Sequence, residues 1–250
     1  MFQKSGKVIC FFKKKIVSLY KIKTMISNNN IDVECFYKFI EINNSSFDIP
    51  KKYLLRGGDG IAGSSLEEVF SLPENNYSVS DFSTFELKTK KDSSNAKTTL
   101  FNKGSRKSHW SIPVDYFKKE YGTGYIDFSV TPNKYNIKIS VDDNNILIVN
   151  NESLFTYYKI NFNEIEEVLL NKLKNLMMVE ISINDGKMVI NKTTYYEMAS
   201  INNFIDLIND GLLYICSNVG SNNHDRGTQF RISKNNLHKL YKNKTEKIWI

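Results

Sequence analysis

A carboxylate, a short gap and a Glu-x-Lys pair follow one another in the segment DFSTFELK, residues 81–88. Glu86 and Lys88 are two positions apart, so on a β-strand both side chains project from the same face, and Asp81 can approach that point from the entry to the strand. Hard cations such as Mg²⁺ prefer carboxylate oxygens and water, to which the peptide carbonyl of Leu87 can add a further ligand. The pattern can therefore hold a divalent cation beside a lysine.

Such a centre suits the hydrolysis of a phosphodiester, which needs an activated water and shielding of the phosphate charge. Lys88 can orient the attacking water or deprotonate it near the phosphate. In a lysine-rich chain the same spacing also arises by chance, and the alternative is an exposed strand with a surface ion pair. The spacing alone favours that alternative.

The segment around the three residues has the pattern of a strand preceded by a helix. Residues 82–90 alternate, with Phe85 and Leu87 on one face and the charged pair on the other. Residues 57–70 (GGDGIAGSSLEEVF) predict a Gly-rich turn and then a helix capped by Ser64 or Ser65. Residues 98–101 predict the next strand.

The rest of the chain alternates between short strands and a few helices. A capping box at Asn161 and Glu164 predicts the start of a helix over 162–176. Gly211 can end a helix over 200–210. The remaining predictions are strands at 124–130, 135–141, 146–150, 212–218 and 227–232, a hairpin of 177–183 with 187–190, and a final helix from near Ser233.

The net charge of +7, from 34 basic and 27 acidic residues, comes from one end of the chain. Residues 1–24 hold seven lysines and no acid, so residues 25–250 are neutral overall and the basic pI does not identify a nucleic-acid site. Two local segments, 88–107 and 226–247, remain rich in Lys and Arg. They fit either a phosphate-lined cleft or two solvated faces.

The first residues predict neither a signal peptide nor a membrane span. The apolar run over residues 8–20 is broken by three lysines. Residues 1–24 are expected to be a basic extension that is either disordered or the product of a mis-assigned start, with Met25 as the alternative. The odd set Cys10, Cys35 and Cys216 has no metal-ligand spacing and fits a reducing cytoplasm.

Several of these blocks together resemble one known family. GGDGIAGSSLEEVF, DFSTFELKT, TTLFNK and HDRGTQFRI resemble, in order and over about residues 50–250, the successive blocks of MvaI/BcnI-type restriction endonucleases. Those enzymes share the PD-(D/E)xK nuclease fold of the mismatch-repair nickase MutH. Several blocks in register make a chance origin of the Asp81, Glu86 and Lys88 pattern improbable.

The resemblance implies an α/β (mixed α+β) fold, with a central mixed sheet flanked by helices and two lobes around a DNA-binding cleft. Residues 25–250 would form a single nuclease domain, with a catalytic lobe at about 50–120 and an interleaved recognition lobe at about 121–250. The catalytic residues of the family fall on Asp81, Glu86 and Lys88. A further helical acid falls on Glu67, for which Glu68 is the competing choice.

The resemblance also implies which residues contact DNA. The block HDRGTQFRI serves for base contacts in G·C-containing sites, and Arg or His side chains suit guanine. The alternatives are a structural role for His224 and phosphate contacts without specificity for the arginines. The predicted DNA-binding residues are Lys103, Arg106, Lys107, His224, Asp225, Arg226 and Arg231.

The leading hypothesis from the resemblance is a Mg²⁺-dependent type II restriction endonuclease, with Mn²⁺ as a possible substitute. The family acts as a monomer, so we expect one centre to cut the two strands of double-stranded DNA in turn. A restriction enzyme implies a cognate DNA methyltransferase in the cell, and we expect a bacterial cytoplasmic location without membrane contact. The alternatives are a MutH-like strand-specific nickase and a DNA-binding module without catalysis.

Overall fold

A computed structural model of the chain describes residues 32–54, 60–70, 79–82, 84–103, 108–220 and 225–249. The predicted N-terminal extension lies outside these residues. The helices are α1 Val33–Ile42, α2 Gly60–Val69, α3 Val114–Tyr121, α4 Phe162–Asn171 and α5 Ile201–Asn209, and two 3₁₀ helices span Lys51–Tyr53 and Lys234–Leu240. The strands are β1 Ser46–Asp48, β2 Glu86–Lys91, β3 Thr98–Lys103, β4 Gly124–Phe128, β5 Ile137–Val141, β6 Asn145–Asn150, β7 Thr156–Asn161, β8 Asn175–Asn184, β9 Lys187–Ala199, β10 Leu213–Val219, β11 Asp225–Ile232 and β12 Tyr241–Ile248.

These elements form two compact units. The first unit contains the described residues up to Ser94 together with 175–196 and 244–249, and the second contains 95–174 and 197–243. Strand β3 therefore belongs to the second unit, whereas the hairpin of β8 and β9 belongs to the first. No described helix is long and apolar enough to cross a membrane.

The first unit is built on a mixed sheet with the strand order β1-β9-β8-β2 and with β12 beside β9. Strand β2 runs parallel to β8, with Leu87 opposite Met177. Leu87 and Met177 belong to a core that also contains residues of α1 and α2. Strand β2 thus buries one face against helices, as its alternation predicts.

Phenylalanine side chains fill the core at the entry to β2. The ring of Phe36 on α1 stacks on Phe70 at 4.8 Å and meets Phe82 and Phe85 edge to face at 6.0 and 5.7 Å. All four side chains are at most 1% exposed. Packed rings of this kind hold the residues on either side of the segment 82–85 in place.

The second unit contains an antiparallel sheet with the order β3-β11-β10-β4 and a smaller sheet β5-β6-β7. One face of the larger sheet is apolar: Phe101, Phe230, Ile215 and Phe128 lie directly opposite one another across the four strands and are buried. Phe204 of α5 packs against this row, with its ring 6.1 Å from that of Phe101. The opposite face carries the row Asn102, Gln229, Cys216 and Asp127.

Most predicted elements are present, and three predictions about the helices were wrong. Helix α2 begins by Gly60, and Ser65 is buried inside it, so neither predicted serine caps it. Helix α4 ends at Asn171, because the apolar residues that follow belong to buried strand β8. The final helix is a 3₁₀ helix that ends at Leu240 and continues into β12.

Candidate active site

Asp81, Glu86 and Lys88 lie together at the start of β2. The Asp81 carboxylate accepts a hydrogen bond from the Leu87 amide at 2.9 Å, and the Glu86 carboxylate accepts one from the Asp81 amide at 3.3 Å. Each carboxylate thus accepts a hydrogen bond from the backbone at the other end of the segment 81–87. These two bonds fix the two carboxylates near one another before any ligand binds.

Glu86 also forms an ion pair with Lys88. Its Oε1 lies 2.6 Å from the Lys88 ammonium, and the side chains of Glu86 and Lys88 are 1% and 24% exposed. Both project from the face of β2 opposite to Phe85 and Leu87, which lie in the core. The predicted division of the strand into an apolar and a charged face is therefore present, but the glutamate is buried and not on an open surface.

The charges around Lys88 keep it cationic. Burial lowers the pKa of its ammonium, but the charge of Glu86, the hydrogen bond that Lys88 donates to Glu86 and the charges of Asp81 and Glu67 outweigh burial, so the pKa lies above its usual value. Of the two roles open for Lys88, orienting water and phosphate suits this state better than accepting a proton.

The structure distinguishes the two candidate helical acids. Helix α2 packs against β2, and Glu67 acts on the charge of Lys88. Glu68 instead pairs with Lys52, with its Oε2 2.7 Å from the ammonium. Glu67 therefore contributes to the electrostatics of the candidate site, whereas Glu68 belongs to a surface ion pair.

The donor atoms fit a hard divalent cation that takes few ligands from the protein and the rest from water. Asp81 and Glu86 supply carboxylate oxygens, and the Leu87 carbonyl remains the predicted third donor. Among the residues that the structure describes, no group of three or more His, Cys, Asp or Glu side chains is placed to hold a metal. Two carboxylates with one carbonyl and several waters is an arrangement that Mg²⁺ accepts, since it retains much of its hydration shell.

Lys103 and Arg231 are the predicted DNA contacts whose side chains the structure describes. The Lys103 ammonium lies 3.5 Å from Glu164 Oε2, which His109 Nε2 approaches at 2.9 Å. Burial raises the pKa of Glu164, but its bonds to His109 and the charges of His109 and Lys103 outweigh this and lower it. Glu164 also accepts from the Asn161 amide, and the Asn161 side chain caps the helix by accepting from the Asn163 amide at 2.9 Å.

The other predicted DNA contacts are not described at the level of side chains. Arg106, Lys107 and His224 lie outside the described residues, whereas the backbone of Asp225 and Arg226 forms the start of β11. Lys97 and Asp127 form an ion pair on the same sheet face as Arg231. Sequence reasoning missed this pair because its members are 30 residues apart and belong to no local motif.

Comparisons with known proteins identify the family. The sequence model of the MvaI/BcnI restriction endonuclease family matches residues 36–241. The fold is similar to "Restriction endonuclease MvaI-cognate DNA substrate complex", with a TM-score of 0.64, 19% identity and coverage of 93% of this chain and 98% of that chain. The similarity to "Restriction endonuclease MvaI in the absence of DNA" is weaker, with a TM-score of 0.40, 17% identity and coverage of 83% and 92%.

No curated protein sequence matches the chain. The family match nevertheless spans far more than half of it, from α1 to the first residue of β12. The match includes the Asp81, Glu86 and Lys88 segment and the block that contains Arg231. The chain therefore belongs to the MvaI/BcnI restriction endonuclease family.

Proposed function

We propose that the chain is a Mg²⁺-dependent type II restriction endonuclease that hydrolyses double-stranded DNA at a short G·C-containing site. We further propose that it acts as a monomer that cuts the strands in turn, that Mn²⁺ can replace Mg²⁺, and that it works beside a cognate DNA methyltransferase in the bacterial cytoplasm. The family match and the fold similarity to a DNA-bound relative support the DNA substrate.

The observation that carries the catalytic part of the proposal is the clustering of two carboxylates and a lysine at the start of β2. The Asp81 carboxylate accepts from the Leu87 amide, the Glu86 carboxylate accepts from the Asp81 amide, and Lys88 pairs with Glu86 at 2.6 Å. A surface ion pair of no function would not require a glutamate that is 1% exposed, since burial of a charge is costly unless something offsets it.

The residues of the site divide the chemistry between them. Asp81 and Glu86 would hold the cation, which supplies charge neutralisation at the phosphate and a water of lowered pKa when it is bound. Lys88 would place its ammonium beside the phosphate oxygens or the attacking water. Attack forms one P–O bond and breaks another, which leaves a phosphate monoester and a hydroxyl group.

Digestion of unmethylated plasmid DNA by the purified chain tests this function. We expect discrete double-strand fragments with Mg²⁺, fragments with the same ends when Mn²⁺ is supplied, and no cleavage with EDTA. Sequencing of the fragment ends would give the site and the cut position. Weak nicking alone would contradict the proposal and favour a strand-specific nickase, and binding without any cleavage would favour a DNA-binding module.

A further inference from the structure

The sheet face opposite to the apolar row of the second unit carries a compact set of charged and aromatic side chains. Asp127 lies on β4 directly opposite Cys216 of β10, and Arg231 lies on β11 directly opposite Tyr214 of the same strand. Since directly opposed residues of antiparallel strands share a face, these side chains all project from one side of the sheet. We call this set, together with Lys97 and Tyr125, the polar face.

Arg231 reaches across the polar face toward Asp127. Its guanidinium lies 4.8 Å from the ring centre of Tyr125, which is two residues from Asp127 on β4. Because β10 separates β11 from β4, the arginine must span one strand to make this contact. Its Nη2 also donates to the Lys97 carbonyl at 3.2 Å. The side chain is therefore held in place by the protein before any ligand binds.

Asp127 is a charged acceptor within this set. Its Oδ2 lies 2.5 Å from the Lys97 ammonium, which in turn lies 3.6 Å from the ring centre of Tyr214. Burial raises the pKa of Asp127, but the Cys216 thiol, Lys97 and Arg231 together hold it below its usual value. The carboxylate is thus ionised at neutral pH, and its side chain is 36% exposed.

A carboxylate on a face that meets DNA works against contact with the phosphates, whose negative charges repel it. It suits contact with a base edge, because the N4 amino group of cytosine is a donor in the major groove and Asp can accept from it. Arg addresses the O6 and N7 acceptors of guanine in the same groove. An anchored arginine beside an ionised aspartate is thus complementary to a G·C pair, or to a guanine and a cytosine in adjacent pairs.

We propose that Asp127 is a specificity-determining residue that accepts a hydrogen bond from a cytosine of the recognition site while Arg231 contacts a guanine. The inference rests on the proposed function, because it requires site-specific DNA recognition. Lys97 partly neutralises the charge of Asp127 and so reduces its repulsion of the DNA phosphates. Asp127 lies outside the HDRGTQFRI block and has no motif of its own.

Selection of bound duplexes from a random DNA library tests the proposal without requiring cleavage. The comparison uses Glu86→Ala protein, in which the predicted metal site is disabled, with and without Asp127→Asn. We expect the asparagine variant to lose preference for cytosine at one position of the site by at least about fivefold, because its amide presents a donor as well as an acceptor. The other positions of the site should keep their preferences.

Two control variants distinguish the recognition of a base by Asp127 from a general effect of protein charge on DNA affinity. Asp206→Asn removes the same charge from α5 in the same unit and should leave every preference unchanged. Lys97→Met breaks the ion pair but keeps the carboxylate, so it should weaken binding to all sequences and retain the cytosine preference. Thermal unfolding of each variant checks that the unit is folded.

The outcomes distinguish failure of this inference from failure of the proposed function. If the parent selects a site and Asp127→Asn selects the same site with equal discrimination, or loses affinity equally for all sequences, Asp127 does not read a base. If the parent itself selects no site, the proposed site-specific function fails. Relaxation confined to one position supports the assignment.

Discussion

Replacement of Lys88 by Met tests the electrostatics of the candidate active site in the absence of DNA. The variant leaves Glu86, which is 1% exposed, without the ammonium that lies 2.6 Å from it. Two unit charges 4 Å apart near a protein surface attract by about 4 kcal/mol, and this pair is closer. The cost of removing the two charges from water offsets part of that attraction.

The size of the destabilisation depends on the buried charge that loses its ion-pair partner, which is Glu86. Breaking a buried ion pair by removal of one partner costs about 3–5 kcal/mol. Because the Lys88 side chain is 24% exposed, water can partly replace it, and we expect the lower end of that range, about 3 kcal/mol. For a chain of this size that corresponds to a fall in Tm of about 6–12 °C.

The pH dependence of the effect has a defined sign. In the parent, the raised pKa of Lys88 means that its contribution to stability is present below about 10.5, its ordinary value, and is lost as the pH rises through the folded-state pKa. In Lys88→Met, Glu86 has lost the ammonium beside it and is more easily accommodated when protonated. The difference in unfolding free energy between parent and variant should therefore shrink as the pH falls from neutral into the acid range.

Urea unfolding at several pH values, with and without Mg²⁺, provides the measurement. Glu86→Gln/Lys88→Met should be less destabilised than the sum of the single variants, because no buried charge remains in the pair. Mg²⁺ should restore more stability to Lys88→Met than to the parent, since the cation can compensate Glu86. A metal-free Lys88→Met variant as stable as the parent at neutral pH would refute this reasoning.

Substitutions at three further positions test other parts of the fold. Thr228→Val removes the acceptor of the buried 2.7 Å hydrogen bond from Trp110 Nε1 and should lower the free energy of unfolding by about 1–3 kcal/mol in urea. Thr228→Ser keeps a hydroxyl acceptor and should retain most of the parent's stability. Equal destabilisation by both variants would contradict the role of the bond. Glu164→Gln should reduce the loss of stability at acid pH. The lowered pKa of Glu164 gives stability that is present above about pH 4.5 and is lost as the pH falls through the folded-state pKa. If the variant loses as much unfolding free energy between neutral and acid pH as the parent does, this reasoning is contradicted. Gly186→Ala should lower the free energy of unfolding by about 1 kcal/mol, because Gly186 has a φ of +75°, which is unfavourable for alanine. The added Cβ causes no clash, since its nearest neighbour is Leu54 at 4.0 Å. Gly186→Asn should cost less, because asparagine tolerates a positive φ better than alanine does.

The sequence predicted the local geometry of the candidate site but not its burial. Alternation along residues 82–90 was sufficient to place Glu86 and Lys88 on one face and Phe85 and Leu87 on the other, because a strand has a period of two. The burial of Glu86 depends on packing by distant elements, which no local pattern contains. The choice between Glu67 and Glu68 likewise required the position of Lys52, which pairs with Glu68.

The start of helix α4 could be predicted from the sequence, but its end could not. Asn161 and Glu164 marked the start of α4 because a cap is a local device. Its end was placed too late, because Leu173 and Leu176 continue a helical spacing although both are buried outside the helix, Leu176 within β8. The polar face was not predictable, since it joins residues from four separate segments through strand pairing.

Cleavage of plasmid DNA by Asp81→Ala and Glu86→Ala in the presence of Mg²⁺ tests the central claim most directly. Glu68→Ala serves as the matched control, because Glu68 is an acid of the adjacent helix that pairs with Lys52 and not with the site. We predict that both site variants bind DNA but produce no cleavage, while Glu68→Ala cuts as the parent does. Cleavage by either site variant at the rate of the parent would contradict the assignment of the active site.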